Sequence, residues 1–204
     1  MIEFPDPEHA DANGLLAAGG DLTPETLISA YRKGIFPWYE AGGPILWWSP
    51  DPRMVLFPDT FHCSRRLARR MRQNIFRVSE NEAFIEVMKA CADRREGTWI
   101  TPEMMAAYAR LFDLGHAGSI EVWDGEKLAG GLYGVRLNRV FFAESMFHRR
   151  TDASKIALAR LVRLAQQNGW LLIDCQFHTG HLASLGAIEM PRRQFLHLLE
   201  RTFA

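Results

Sequence analysis

An α+β fold, with a small N-terminal unit and a larger one built on a mixed, mainly antiparallel sheet, is predicted by three stretches of the sequence. Residues 119–147 alternate apolar and polar positions around two tight turns, as an antiparallel meander does. A helical period over 153–168 follows. Then comes Trp170-Leu-Leu-Ile-Asp-Cys-Gln176, an apolar run that begins after Gly169 and suits a strand covered on both faces. The small unit is assigned residues 1–60 and the larger one 61–204, with the boundary free to fall between 50 and 100. At 204 residues and 48% hydrophobic content the chain can bury a sizeable core.

Composition excludes several function classes. Lys plus Arg and Asp plus Glu number 24 each, so contact with nucleic acid must come from a local basic patch and not from a global field. No segment approaches the roughly 18 to 20 apolar residues of a membrane span. Met1-Ile-Glu-Phe-Pro-Asp-Pro7 has neither the basic flank nor the apolar core of a signal peptide, which predicts a cytoplasmic protein with no membrane partner. Cys63, Cys91 and Cys175 are odd in number and widely spaced, poor material for disulfides or a structural zinc site; reduced thiols and no metal are expected.

In chain order, Thr23-Pro24 opens a helix, with a hydroxyl at the cap and a proline where its missing N–H costs nothing; the helix runs to Lys33 and stops at Gly34. Gly34-Ile-Phe-Pro-Trp-Tyr and Ile45-Leu-Trp-Trp-Ser-Pro-Asp-Pro-Arg53 then bring three tryptophans close together. Trp47 and Trp48 suit a satellite core or a stacking platform, while Trp38, in irregular chain, is the better contact surface. Met54-Val-Leu-Phe reads as a strand. Ser64 caps a helix in which Leu67 and Met71 point inward and Arg65, Arg69 and Arg72 share a face. From Phe61 to Ser79 there is no acidic residue, the footprint of a phosphate-binding patch or of a solvated basic face.

A strand at Phe76 to Val78 and a helix from Asn81 to Cys91 follow, then a charged loop from Ala92 to Thr98. Thr101-Pro-Glu opens a further helix that ends near Gly115. The meander turns at Asp124-Gly125 and Asn138-Arg139. After the 170–176 strand come a short helix, a strand near Ile188 and a helix begun by Pro191. A meander feeding a helix and then a central strand is the pattern of an acyltransferase-like sheet.

Several residues carry chemistry. Alternation puts Leu172, Asp174 and Gln176 on one face of their strand and Leu171, Ile173 and Cys175 on the other. The Asp/Gln pair is either a reacting edge or a set of loop-capping groups. Glu144 lies in an apolar strand, and an unpaired buried charge costs several kcal/mol, so it needs a partner: a cationic substrate group, or an internal cation such as Lys155. Ala157, Leu158, Leu161, Val162 and Ala165 form a stripe that suits core or pocket. Cys175-x-x-His178-x-x-His181 is a weak metal or thiol motif. No Ser-His-Asp order, phosphate loop or dinucleotide glycine pattern is present.

Gly19-Gly-Asp-Leu, Gly34-Ile-Phe-Pro-Trp, Ile45-Leu-Trp-Trp-Ser-Pro-Asp-Pro-Arg, Gly97-Thr-Trp-Ile-Thr, Glu144-Ser-Met-Phe, Ala153-Ser-Lys, Leu172-Ile-Asp-Cys-Gln and Ser184-Leu-Gly-Ala together resemble the bacterial leucyl/phenylalanyl-tRNA–protein transferases, over nearly the whole chain. The resemblance implies a C-terminal N-acetyltransferase-like domain. It also implies transfer of Leu or Phe, with Met as a further candidate, from aminoacyl-tRNA to proteins with N-terminal Arg or Lys, marking them for N-end rule degradation. No cofactor is implied, because the aminoacyl-tRNA is a substrate.

Carried over by position, the resemblance makes Asp174 and Gln176 catalytic and gives the acceptor peptide to Glu144. Trp38, Trp99 and Tyr108 take the aminoacyl-adenosine. Leu132, Phe141, Leu158, Leu161, Ala165 and Ile173 become the side-chain pocket. Arg65, Arg66, Arg69, Arg70 and Arg72 are the candidates for phosphates of the tRNA acceptor stem. Two readings from other classes stay open: a small-molecule N-acyltransferase using a thioester, and a non-catalytic binder of basic N-termini.

Overall fold

Hydroxyl caps start most of the helices. The computed structural model describes residues 3–94 and 97–203, so Arg95 and Glu96 of the charged loop lie outside the described residues. A first strand, β1 (Leu15–Ala18), precedes α1 (Pro24–Arg32), where the Thr23 hydroxyl accepts the Thr26 N–H at 3.4 Å. β2 (Phe36–Pro37) and β3 (Leu46–Trp48) complete a small antiparallel sheet in the order β1-β3-β2. Two of these strands have four and two residues, too short to show a period.

β4 (Arg53–Leu56) leads to α2 (Arg65–Arg72), where Ser64 Oγ accepts the Leu67 N–H at 3.2 Å. Leu67 is buried as expected. Met71 is not: it is 37% exposed, because the eight-residue helix rests on its neighbours along one narrow stripe. β5 (Arg77–Glu80) and α3 (Phe84–Ala92) follow. Ala83 gives α3 no side-chain cap, and the carboxylate of Glu121 serves instead, accepting the Glu82 and Ala83 N–H groups at 3.4 Å. α4 (Pro102–Asp113) starts on Thr101, whose hydroxyl accepts the Met104 N–H at 3.1 Å.

The meander is β6 (Ala117–Asp124), β7 (Lys127–Leu137) and β8 (Val140–His148). After it come α5 (Ala153–Gln167), β9 (Leu172–Gln176), α6 (Gly180–Ala183), β10 (Ile188–Met190) and α7 (Arg192–Phe203). The large sheet has seven strands in the order β10-β4-β9-β8-β7-β6-β5, all antiparallel neighbours except β8 and β9. The α+β class and the mixed, mainly antiparallel sheet are therefore present as expected. No described helix is long and apolar enough to cross a membrane.

Two apolar layers cover the two faces of this sheet. One holds Leu172 with Tyr31, Trp47, Val55, Tyr108, Phe142 and Phe195, so residues on both sides of position 60 share it. The other, toward α5, holds Ile173 and Cys175 with Met54, Leu132, Leu158 and Leu161. Within β9 the alternation thus separates Leu172 from Ile173 and Cys175 into two different cores, whereas Leu171, before the strand begins, packs on the same core as Leu172 and not on the opposite face as expected. The β8·β9 pairing runs from Val140↔Leu172 to Phe142↔Asp174 and then stops. Beyond that register the two strands part, and the seam between them opens toward solvent.

Candidate functional site

A cleft of about 560 Å³ occupies that seam. Ala143, Glu144, Ser145 and Met146 of β8 line it from one side, and Cys175 and Gln176 of β9 from the other. Leu132 and Leu158 supply its apolar wall, Trp38 and Trp99 its rim. Trp38 is 41% exposed and meets Trp48 and Phe177 with ring centroids 5.5 Å away in each case. Trp48 fixes the loop by donating its indole N–H to the Trp38 carbonyl at 2.6 Å. Trp47, in contrast, is core, its N–H bound to the Gly19 carbonyl at 2.8 Å.

At the closed end of the cleft, Glu144 is 8% exposed. Among the described residues its partners are neither Lys155 nor another cation. Tyr31 donates to Oε1 at 2.7 Å, Tyr108 to Oε2 at 3.1 Å, and the Gln176 side-chain N–H to Oε1 at 3.0 Å. The two tyrosine hydroxyls also touch each other. Burial raises the Glu144 pKa to about 7, against the lowering effect of the tyrosine hydrogen bonds and with a further rise from the nearby charge of Asp174. The same burial pushes the Tyr31 and Tyr108 hydroxyls well above their usual range, so both stay protonated donors.

This carboxyl makes stability depend on pH. Its folded pKa of about 7 lies above the ordinary 4.5, so the folded protein binds the proton more tightly than the unfolded chain. Stability is therefore greatest below pH 4.5 for this group and falls as pH rises toward 7. The loss expected is ~3 kcal/mol, from 1.36 kcal/mol per pKa unit. Denaturant titrations between pH 5 and 8 should show it, and Glu144→Gln should flatten the trend; an unchanged slope in the variant would count against the buried protonated carboxyl.

Asp174 lies behind this end, not in it. Its carboxylate is fully buried and forked by Arg53, with Nε to Oδ1 at 2.8 Å and Nη2 to Oδ2 at 2.6 Å. Arg53 also donates to the Gly34 carbonyl at 3.1 Å and is sandwiched between Phe36 and Phe195, 4.8 and 4.7 Å from their ring centres. Asp174 Oδ1 accepts the backbone N–H of Gln176 at 3.0 Å. Gln176 has φ +62°, a left-handed backbone that a side chain rarely adopts unless it is held there. Asp174 thus meets Gln176 at its backbone N–H, which leaves the Gln176 side chain to the cleft. Gln176 then spends its N–H on Glu144, and its amide oxygen remains to accept a proton donor from the cleft.

The other expected residues divide. Trp38, Trp99, Leu132, Glu144, Leu158 and Gln176 meet at the cleft. Tyr108 stands behind Glu144, 1% exposed, with its hydroxyl donated to the Glu144 carboxyl. Phe141 and Leu161 line a separate depression beside Trp170, and Ala165 and Ile173 are core without lining the cleft. Helical and strand periods identify a face but not which end of it a cleft opens on. Arg65, Arg66, Arg69 and Arg72 are exposed on α2, whereas Arg70 lies over the Phe76 ring at 5.4 Å. Cys175 is buried and its thiol is pushed up by burial, so it is a poor nucleophile; among the described residues no three side chains form a metal site.

Sequence reasoning missed Tyr31, Arg53, Phe36, Phe177 and Arg94. Phe36 and Arg53 fall inside the Gly34 and Ile45 blocks, which is the one signal that could have found them. Arg94 lines the cleft and donates to Ser145 Oγ at 2.7 Å.

A family model described as leucyl/phenylalanyl-tRNA protein transferase matches residues 55–200, and one described as its N-terminal domain matches residues 20–51. Proteins named leucyl/phenylalanyl-tRNA–protein transferase are similar over nearly the whole of this chain. That of Anaeromyxobacter sp. (strain Fw109-5) is 54% identical over 98% of this chain and 87% of its own. That of Nitrosomonas europaea is 58% identical over 94% of this chain and 84% of its own. Among solved structures, a GCN5-related N-acetyltransferase from Kribbella flavida aligns with a TM-score of 0.43 at 12% identity, over 83% of this chain and 61% of that one.

Proposed function

This chain belongs to the leucyl/phenylalanyl-tRNA protein transferase family and is an aminoacyltransferase, and we propose that it moves Leu or Phe from tRNA to proteins with an N-terminal Arg or Lys, in the cytoplasm. The observation that carries this is the cleft itself: an apolar wall, an aromatic rim, and one amide and one carboxyl at the closed end. Leu132, Leu158 and Met146 suit the donor's apolar side chain, and Trp38 and Trp99 suit a nucleobase. Glu144, once ionised, suits the acceptor's guanidinium or ammonium, a cation that would itself favour ionisation.

The acceptor's neutral α-amine attacks the ester carbonyl of the donor, a C–N bond forms, and the tetrahedral intermediate expels the ribose oxygen, which leaves as the hydroxyl with the amine's proton. An ester is already an activated acyl donor, so positioning can supply much of the rate. The Gln176 amide oxygen accepts the amine N–H and aims its lone pair. Its N–H, anchored on Glu144, fixes which way round the amide stands.

The test is transfer of radiolabelled leucine to an Arg-starting protein, with intact and with ribonuclease-treated charged tRNA. Covalent label only with intact tRNA is expected. Label from an acyl thioester alone, or peptide binding without label, would replace the reading with an acyltransferase or a binder. For the tRNA body, Arg65→Glu with Arg69→Glu should raise KM for aminoacyl-tRNA about tenfold or more while sparing phenylalanyl-adenosine. Equal losses on both donors would remove α2 from phosphate contact.

A further inference from the structure

The arginine helix and the mouth of the cleft are joined by a line of basic side chains. α2 packs on α5, and at that junction Arg66 of α2 and Lys155 of α5 converge on the Asp152 carboxylate, at 3.8 and 4.0 Å. Asp152 is the acid shared by these two cations, so the excess charge there is positive. Lys155 stands one helical turn before Leu158 on the same side of α5, and both Leu158 and His181 line the cleft. The His181 pKa is lowered first by burial and then by the neighbouring Lys155 and His148. A cation at the mouth of a cleft, beside imidazole N–H donors, favours an anion there.

The chemistry of the donor supplies such an anion. Resting on the reading above, a donor whose stem phosphates lie along Arg65, Arg69 and Arg72 must lead a single strand from α2 into the cleft. A single strand is held by cations that track its backbone while its bases stack. We propose that Lys155, flanked by His148 and His181, binds the phosphodiester on the 5′ side of the donor's terminal nucleoside, and so guides the aminoacyl end into the cleft. An ammonium suits this as a mobile point charge with three donors. The side chain is about one-third exposed, at 35%, and can reach from Asp152 to a phosphate without disturbing the core.

The experiment uses the full-length protein, an Arg-starting acceptor peptide, and two donors, phenylalanyl-adenosine and its 5′-phosphorylated form. With the unaltered protein the phosphate is expected to lower donor KM about tenfold and leave kcat unchanged, with the advantage shrinking as salt is raised. Lys155→Met should abolish that advantage without changing KM for phenylalanyl-adenosine. Arg201→Glu, an exposed charge reversal on α7, serves as the reference and should leave both small donors unaffected. Equal KM for the two donors in the unaltered protein, or a phosphate advantage that survives Lys155→Met, would overturn the site. Transfer from neither donor would overturn the proposed reaction at the cleft, and this site with it.

Discussion

Gln176→Ala will reduce turnover at saturating donor and acceptor about 100- to 1,000-fold, the loss typical of removing one positioned polar group from a reacting centre. Its effect on unfolding free energy should stay within about 1 kcal/mol, because Glu144 keeps both tyrosine donors when the amide goes. The informative companion is Gln176→Glu. A carboxylate there cannot donate to Glu144, whose Oε1 sits 3.0 Å from the Gln176 nitrogen, and two acids that close compete for one proton. Turnover should fall as far as in the Ala variant at pH 8 and recover in part toward pH 6, where a shared proton restores the donor. Full turnover in Gln176→Glu across that range would mean that neither the orientation of the amide nor a proton passing through it matters. Single-turnover measurements with phenylalanyl-adenosine separate this chemical loss from any change in binding.

Arg53→Met will be the most destabilising of the substitutions considered, at about 3–5 kcal/mol, because it strands the fully buried Asp174 carboxylate. Replacing both partners, Arg53→Met with Asp174→Leu, should restore most of that stability, since an apolar pair of similar volume carries no desolvation penalty. Turnover should not return with it. The Gln176 N–H would still lack its acceptor, and the left-handed backbone that aims the side chain would lose its tether. Denaturant midpoints on the two variants, paired with kcat and KM on each, test this. A double variant that regains both stability and full turnover would reduce the ion pair to a packing element.

Much of the scaffold could be read from local chemistry. Thr23-Pro24, Ser64 and Thr101-Pro102 mark helix starts because the orphan N–H groups of a first turn need an acceptor within three residues, and that requirement is written in the sequence. The alternation in 171–176 separates Leu172 from Ile173 for a similar reason, and the two residues do face different cores. What stayed hidden is non-local. Asp174 is matched by an arginine 121 positions away, and Glu144 by a tyrosine 113 positions away in a helix whose own period marks that tyrosine only as inward-facing. Tyr108 shows the same limit from the other side. Its residue type suits a stacking ring and a buried hydroxyl donor equally, and only the position of the carboxylate decides between them. Ala165 and Ile173 share a face with Leu158 or a strand with Gln176, yet depth along the face, which no period encodes, removes them from the cleft.

The reach of Tyr31 and Arg53 bears on modularity. The stretch matched by the larger family model starts at residue 55, after both of them. A fragment with that start would keep Gln176, Glu144 and the apolar wall, yet it would leave one carboxyl short of a hydroxyl and the other without its guanidinium. The N-terminal stretch thus completes the closed end of the cleft and is not a detachable appendage. A chimera that exchanges it between relatives would stay active only if the incoming segment carries a tyrosine and an arginine to the same two carboxyls, which makes those two positions the ones to check before any such graft.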